Sequence, residues 1–275
     1  MLGEAAHGSV HGTDLFVYTD VMTWADRRKF IIISTIVGVF ALIIAVTVIA
    51  IVYETPTCTD GKQNADERGI DCGGACMYLC LADVEKPAIR FVRPISPQPG
   101  RVDVIAYIDN RNPSLAAKDV RVSVELFDEA RQSLGAKSAV IDIPAGATVP
   151  LYIPEAYRGT ATVAQAFLTI EEESMRFYAP SERHRVPTVQ NVETQNSSEP
   201  RIRAILENPS AYPIYDIRPI ATVFDGAGNA IAASQTYLPQ LGAQAEADVL
   251  FTWNRAFVNP PARVEVLPVT PLREP

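Results

Sequence analysis

Ala106-Tyr107-Ile108-Asp109-Asn110 returns 98 residues later as Ala204-Ile205-Leu206-Glu207-Asn208, and this pair of stretches decides how the rest of the chain reads. Leu126-Phe127-Asp128 returns as Val223-Phe224-Asp225 at an offset of 97, and Gly146 as Gly242 at 96. Such drift is expected when turns lose or gain a residue while strands keep register. Between these landmarks, short runs rich in Val, Ile, Tyr and Phe alternate with Pro, Gly, Asn and Asp, the pattern of an all-β sandwich. Val120-Arg121-Val122-Ser123-Val124-Glu125-Leu126 alternates strictly, so one side chain in two faces a core. Each copy offers an Asn-Pro turn, Asn112-Pro113 and Asn208-Pro209. Each also offers a polar hairpin turn, Asp128 to Arg131 and Asp225 to Asn229. The spacing predicts two tandem β-sandwiches, residues 86–178 and 187–272, each with its own core, joined by a proline-bracketed exposed linker at 179–186. Phe251 and Trp253 share one face of their strand and are core candidates with Phe224.

Toward the N-terminus the β pattern gives way to Phe30–Tyr53, FIIISTIVGVFALIIAVTVIAIVY, which carries no charge. At about 1.5 Å per residue such a helix is long enough for a hydrocarbon core of about 30 Å, so residues 30–53 read as a transmembrane helix contacting the lipid bilayer. The run is too long for a cleaved signal peptide and exits through Glu54-Thr55-Pro56 without a small-residue cleavage site. Arg27, Arg28 and Lys29 precede it, whereas Glu54 and Asp60 follow. By the positive-inside rule residues 1–29 form a cytoplasmic arm, and the C-terminal mass is extracytoplasmic. His7 and His11 in the arm stand between glycines with no third ligand near and read as solvated. Ser34 with Gly38 and Ala41 with Ala45 form small-xxx-small pairs in the span.

All four cysteines, Cys58, Cys72, Cys76 and Cys80, lie in a Cys-rich neck at 54–82. An even number of close cysteines in an exported segment points to two disulfides, with three connectivities open. Zinc on four thiolates is the competitor, but the paired C-x2-C knuckles are missing. Asp60, Asn64, Asp66 and Asp71 lie among glycines in the same segment. Oxygen ligands on a tight backbone suit calcium, and the same residues are also ordinary turn formers; both readings stand at this level.

Cys58 to Cys76, CTDGKQNADERGIDCGGAC, resembles the C-x-D-G-x-x-N-x-x-E-x-G-x-D-C-G-G-x-C element that recurs in bacterial surface and secreted proteins, which implies a place outside the cell membrane. The second repeat, from Asn208-Pro209-Ser210 through Val223-Phe224-Asp225-Gly226 to Leu241–Trp253, resembles bacterial immunoglobulin-like modules of the CARDB or FxLYD type. Copy one departs with Pro150-Leu151-Tyr152-Ile153 where the F-x-W strand falls. The resemblance implies immunoglobulin-like sandwiches and a cell-surface theme, and no inherited binding residues.

The chemistry-bearing patterns are sparse. The formal charge of −8, from 32 acidic and 24 basic residues, argues against nucleic acid as a partner, since phosphate binding needs a concentrated basic patch. The glycines at Asp225–Asn229 lack the third glycine and following helix of a phosphate cradle. His184, the only histidine beyond the span, lies in the linker and reads as solvated; Glu171-Glu172-Glu173-Ser174 reads as a charged edge. No enzyme template is met and no cofactor other than calcium is suggested. The resulting expectation is a membrane-anchored scaffolding or adhesion protein that meets other envelope proteins through sandwich edges. The alternative is an accessory subunit of a membrane secretion or pilus machine, and an extracytoplasmic enzyme is the remaining class.

Overall fold

Thr23 precedes a run of strong helix formers, and Asp26 three residues on donates its backbone N–H back to the Thr23 hydroxyl at 3.4 Å, a capping arrangement. Helix α1 therefore spans Trp24–Val52, starting before the uncharged run and taking in Arg27, Arg28 and Lys29. Residues 23–51 are exposed throughout, and Arg28 lies over the Trp24 ring at 4.7 Å. This computed structural model describes residues 23–52, 57–64 and 66–273, so the expectations for most of the arm, His7 and His11 among them, lie outside the described residues. The chain divides into two units, Met1–Thr55 and Pro56–Pro275.

The second unit is built from antiparallel strands β1 (Tyr78–Leu79), β2 (Ala88–Gln98), β3 (Arg101–Asp109), β4 (Ala116–Phe127), β5 (Ser133–Ile143), β6 (Thr148–Arg158), β7 (Gln165–Ile170) and β8 (Phe177–Tyr178). A second series follows: β9 (Thr188–Gln195), β10 (Arg201–Glu207), β11 (Ile214–Phe224), β12 (Ala230–Gln235), β13 (Leu238–Leu241), β14 (Glu246–Thr252) and β15 (Arg263–Val269). In the first copy β2-β3-β6 form one sheet, and β4, flanked by β5 and β7, forms the other. The second copy repeats the plan with β9-β10-β14, and with β11 between β15 and β12, β13 taking up the end of β11. Two immunoglobulin-like sandwiches of one topology result. Val122, Val124 and Leu126 on β4 meet Val104, Ala106 and Ile108 on β3 in the first core, as the alternation of 120–126 predicts. Ile202, Leu206, Val223, Val249 and Phe251 fill the second core, with Trp253 packed beside Phe251.

Hydrogen bonding corrects the alignment of the repeats. Asn110 donates its Nδ2 to the carbonyls of Leu115 and Pro144 and accepts from the Asn112 N–H. Asn208 does the same with Tyr212, Gly242 and the Ser210 N–H. The equivalent of Asn208 is thus Asn110, as the return of 106–110 at 204–208 predicts, and the Asn112-Pro113 pair is not the counterpart of Asn208-Pro209. Gly146 and Gln244 donate to Asn112 and Ser210 respectively, both at positive φ (62° and 52°). Gly146 therefore corresponds to Gln244 rather than Gly242, because this turn accepts from the Asn110 and Asn208 N–H groups through Ala147 and Ala245 and so keeps the offset of 98 of strands β3 and β10.

The neck and the linker are more integrated than a string of separate parts. Cys58 bonds to Cys76 and Cys72 to Cys80. Between Cys76 and Cys80, β1 pairs with β8, extending the β4 sheet, while Leu79, Leu81 and Val84 pack against Phe177, Val120 and Ile143. After β15 the chain returns to the first sandwich: the Leu272 N–H reaches Asp142 at 2.7 Å, and the Leu272 side chain is buried against Ala116 and Tyr178.

Candidate interaction surfaces

Each sandwich has two outer faces, and one from each copy is used internally. On β3 the residues alternate between two burials: Val104, Ala106 and Ile108 face the first core, whereas Ile105 and Tyr107 point outward with Ile95. That outer face meets Ile220, Phe224, Ala230 and Ala233 of the β11–β12 face, so a cluster common to both copies lies between them. Phe91, Tyr107 and Phe224 form its aromatic centre. Phe91 and Tyr107 lie 4.7 Å apart, and Phe224 stands edge-on to both at 6.0 and 6.2 Å. Arg93 donates to Asn229 at 3.0 Å at the rim, and Arg263 covers the Phe224 ring at 4.0 Å. Inside it, Tyr107 Oη and Thr222 Oγ1 are buried with no hydrogen-bond partner but each other. Burial pushes the Tyr107 hydroxyl pKa up. The clue in the sequence was the composition of Val104-Ile105-Ala106-Tyr107-Ile108, apolar on both faces where 120–126 is apolar on one.

At one end of this junction a cleft of about 570 Å³ is lined by Pro97, Arg101, Asp103, Tyr152, Trp253 and Phe257, among others. Its buried carboxylate, Asp103, accepts from Arg101 Nε and Nη2 at 2.8 and 3.1 Å, from Tyr152 Oη at 2.6 Å and from the Glu155 N–H at 2.8 Å. Burial, followed by the adjoining Asp103 carboxylate, raises the Tyr152 hydroxyl pKa. The four donors hold Asp103 within the fold as a satisfied buried charge.

His184, expected to be solvated, is half-buried, with Nε2 2.9 Å from the Thr270 hydroxyl. Burial lowers its pKa, and the Asp142 carboxylate opposes that shift. The sequence did not show this because the C-terminal tail that covers His184 arrives from 86 residues away. Glu171 and Glu172 pair with Arg121 and Lys86, at 2.7 and 2.6 Å, as a charged edge should.

In the neck, both Asp71 oxygens accept from the Gly61 N–H, at 3.1 and 3.0 Å. Asp60 accepts from the Lys62 N–H and from Asn64 Nδ2. The Asn64 amide, and next the Lys62 N–H, hold the Asp60 carboxyl below its usual range. These bonds do the work of turn formers, while Asn64 Oδ1 is buried without a partner. Asp66 lies against Gly74, whose φ is +61°; a Cβ there would stand 2.0 Å from the Asp66 carbonyl oxygen, so only glycine fits. Glu67 lies beside the Cys58 and Cys76 sulfurs, which are spent on their own bond.

Two outer sheet faces stay exposed. That of β9-β10-β14 carries a charged ladder in which Arg203 grips Asp248 through two bonds of 2.9 Å. That of β5-β4-β7 carries Arg121, Ser123 and Glu125 along β4, beside Val140 and Phe167, which are 61% and 56% exposed.

No family model matches the chain, and no curated protein does. Among solved structures, red sea bream transglutaminase is similar over 69% of this chain and 31% of its own, at 12% identity and a TM-score of 0.21. An exo-chitosanase of Amycolatopsis orientalis is similar over 62% of this chain and 26% of its own, at 13% identity and a TM-score of 0.15. The chain thus spans less than a third of the length of either enzyme, and likenesses this slight carry no argument about fold or activity.

Proposed function

We propose that this chain is a single-pass protein of the bacterial cell envelope that holds a joined pair of immunoglobulin-like modules outside the cytoplasmic membrane, for scaffolding or adhesion. The observation that carries the reading is the sequence of parts. An apolar helix with every described side chain exposed is followed directly by two disulfides, which belong to an oxidising compartment. An apolar helix with no protein surface to cover it is stable in lipid, where its backbone bonds are satisfied internally. Arg27, Arg28 and Lys29 at its start favour a cytoplasmic N-terminus. The paired strands β1 and β8 attach the neck to the modules, which suits display of the two together.

The test is topological. A thiol reagent that cannot cross membranes should label Cys58, Cys72, Cys76 and Cys80 in intact cells only after reduction, and a cysteine replacing Ser9 should stay protected. Labelling of position 9 from outside overturns the orientation, and recovery of the chain in the soluble fraction overturns the anchor.

A further inference from the structure

We propose that the β5-β4-β7 face is a self-association surface, on which a second copy of this chain docks the same face about a two-fold axis. The chain itself shows that this kind of face takes a sheet. Its counterpart in the second module is occupied: Ile220, Thr222 and Phe224, the equivalents of Ser123, Glu125 and Phe127 at an offset of 97, are covered by the first module. In the first module the face is open. Ser123 is flanked across the strands by Ser138 and Thr169, a central row of small hydroxyl side chains that permits close approach.

The charges choose the occupant. Arg121 and Glu125 stand two residues to either side of Ser123 on the outer face of β4, Val140 lying beside the first and Ala136 beside the second. In an isologous pair each patch meets itself, so residue i contacts j of the partner and j contacts i. A two-fold axis running across the strands through the Ser123 row sets Arg121 of each copy against Glu125 of the other. It also sets the exposed Val140 over Ala136 and brings Ser138 onto Ser138. One oxygen of Glu125 is engaged by the Ser133 hydroxyl at 2.9 Å, and Arg121 Nε by Glu171 at 2.7 Å. A carboxylate accepts several bonds and a guanidinium has five donors, so both retain capacity for a partner. The other open face, on β9-β10-β14, spaces Arg203 and Glu207 in the same way about Ile205, but there both Nε and Nη2 of Arg203 are taken by Asp248, whereas Arg121 gives only Nε to Glu171. The contact is small, and it rests on the anchored reading in one respect: tethering in a common plane raises the effective concentration that a three-stranded patch needs.

The test uses the full chain in membranes. The described cysteines are all paired, so Ser138→Cys introduces a unique thiol at the axis. Mild oxidation should cross-link it to its copy. Glu125→Arg in that background should cut the cross-linked product at least about five-fold by setting like charges against each other, and Arg121→Glu with Glu125→Arg should restore it. Absence of cross-linking by Ser138→Cys overturns the proposal. So does cross-linking indifferent to Glu125→Arg, which would place the contact in the span, and so does failure of the double reversal to restore it. Membrane fractionation of the same samples reports on anchoring separately, so a soluble chain with the charge pattern intact refutes the anchor and leaves the sheet contact standing.

Discussion

A single buried asparagine closes the end of each sandwich, and the cost of losing it can be stated. Asn208 is fully buried, donates to the carbonyls of Tyr212, Leu241 and Gly242, and accepts from Ser210. Asn208→Ala removes the partner of the buried Leu241 carbonyl and of the Gly242 carbonyl and Ser210 N–H, whereas the Tyr212 carbonyl keeps the Ser210 hydroxyl. A loss of about 1 to 3 kcal/mol for each group left unpaired is expected in denaturant unfolding, and Asn208→Asp should fail to rescue it because a carboxylate has no hydrogen to donate. Tyr107 and Thr222 predict the opposite sign. Their hydroxyls are buried with no partner but each other, so the double change Tyr107→Phe with Thr222→Val should be neutral or raise stability by about 1 kcal/mol, since both members of the pair go together and a desolvation cost disappears. A drop of several kcal/mol in denaturant unfolding would refute this. His184 gives a pH dependence. Its folded pKa lies below the ordinary 6.5 because burial disfavours the charged ring. As pH falls below the unfolded value the unfolded chain binds the proton first, so stability is full above that value and is lost as pH falls through the folded pKa. His184→Gln should flatten the midpoint-against-pH profile in that window.

At the scale of elements, the neck shows how a short segment without a core of its own is held. Each disulfide removes freedom from the unfolded chain worth about 2 to 4 kcal/mol, and β1 then joins the β4 sheet through β8. Digestion without reduction should release Cys58–Cys76 and Cys72–Cys80 peptides; free thiols or another pairing would refute the connectivity. Asn, Asp and Gly were legible as loop builders in the sequence. The choice among three pairings was not, because it depends on which sulfurs the folded loop brings within bonding distance. Strand alternation shows the same division. Val120 to Leu126 declared its buried face by period alone, whereas Ile105 and Tyr107 belong to a strand buried on both faces, and the sequence does not name what covers the second.

At the scale of the molecule, two modules of the same plan are joined by contact between unlike faces, and Leu272 returns from the end of the second to the surface of the first. Calorimetry on residues 57–275 should therefore show one cooperative transition. Phe224→Ala, which truncates a ring standing edge-on to Phe91 and Tyr107, should lower stability by about 3 to 5 kcal/mol, close to the cost of Phe251→Ala inside one core. Two separate transitions, with only one moved by Phe224→Ala, would show that the junction contributes little.

The amino-acid sequence by itself determined the apolar helix, the mainly β class, the repeat and the core faces of the alternating strands, because each follows from local periodicity and composition. Only the tertiary structure decided that Gly146 matches Gln244 and not Gly242, that a cluster lies between the two copies, and that the tail covers His184. These features depend on residues far apart in the chain, whose meeting follows from sheet packing and leaves no period in the sequence.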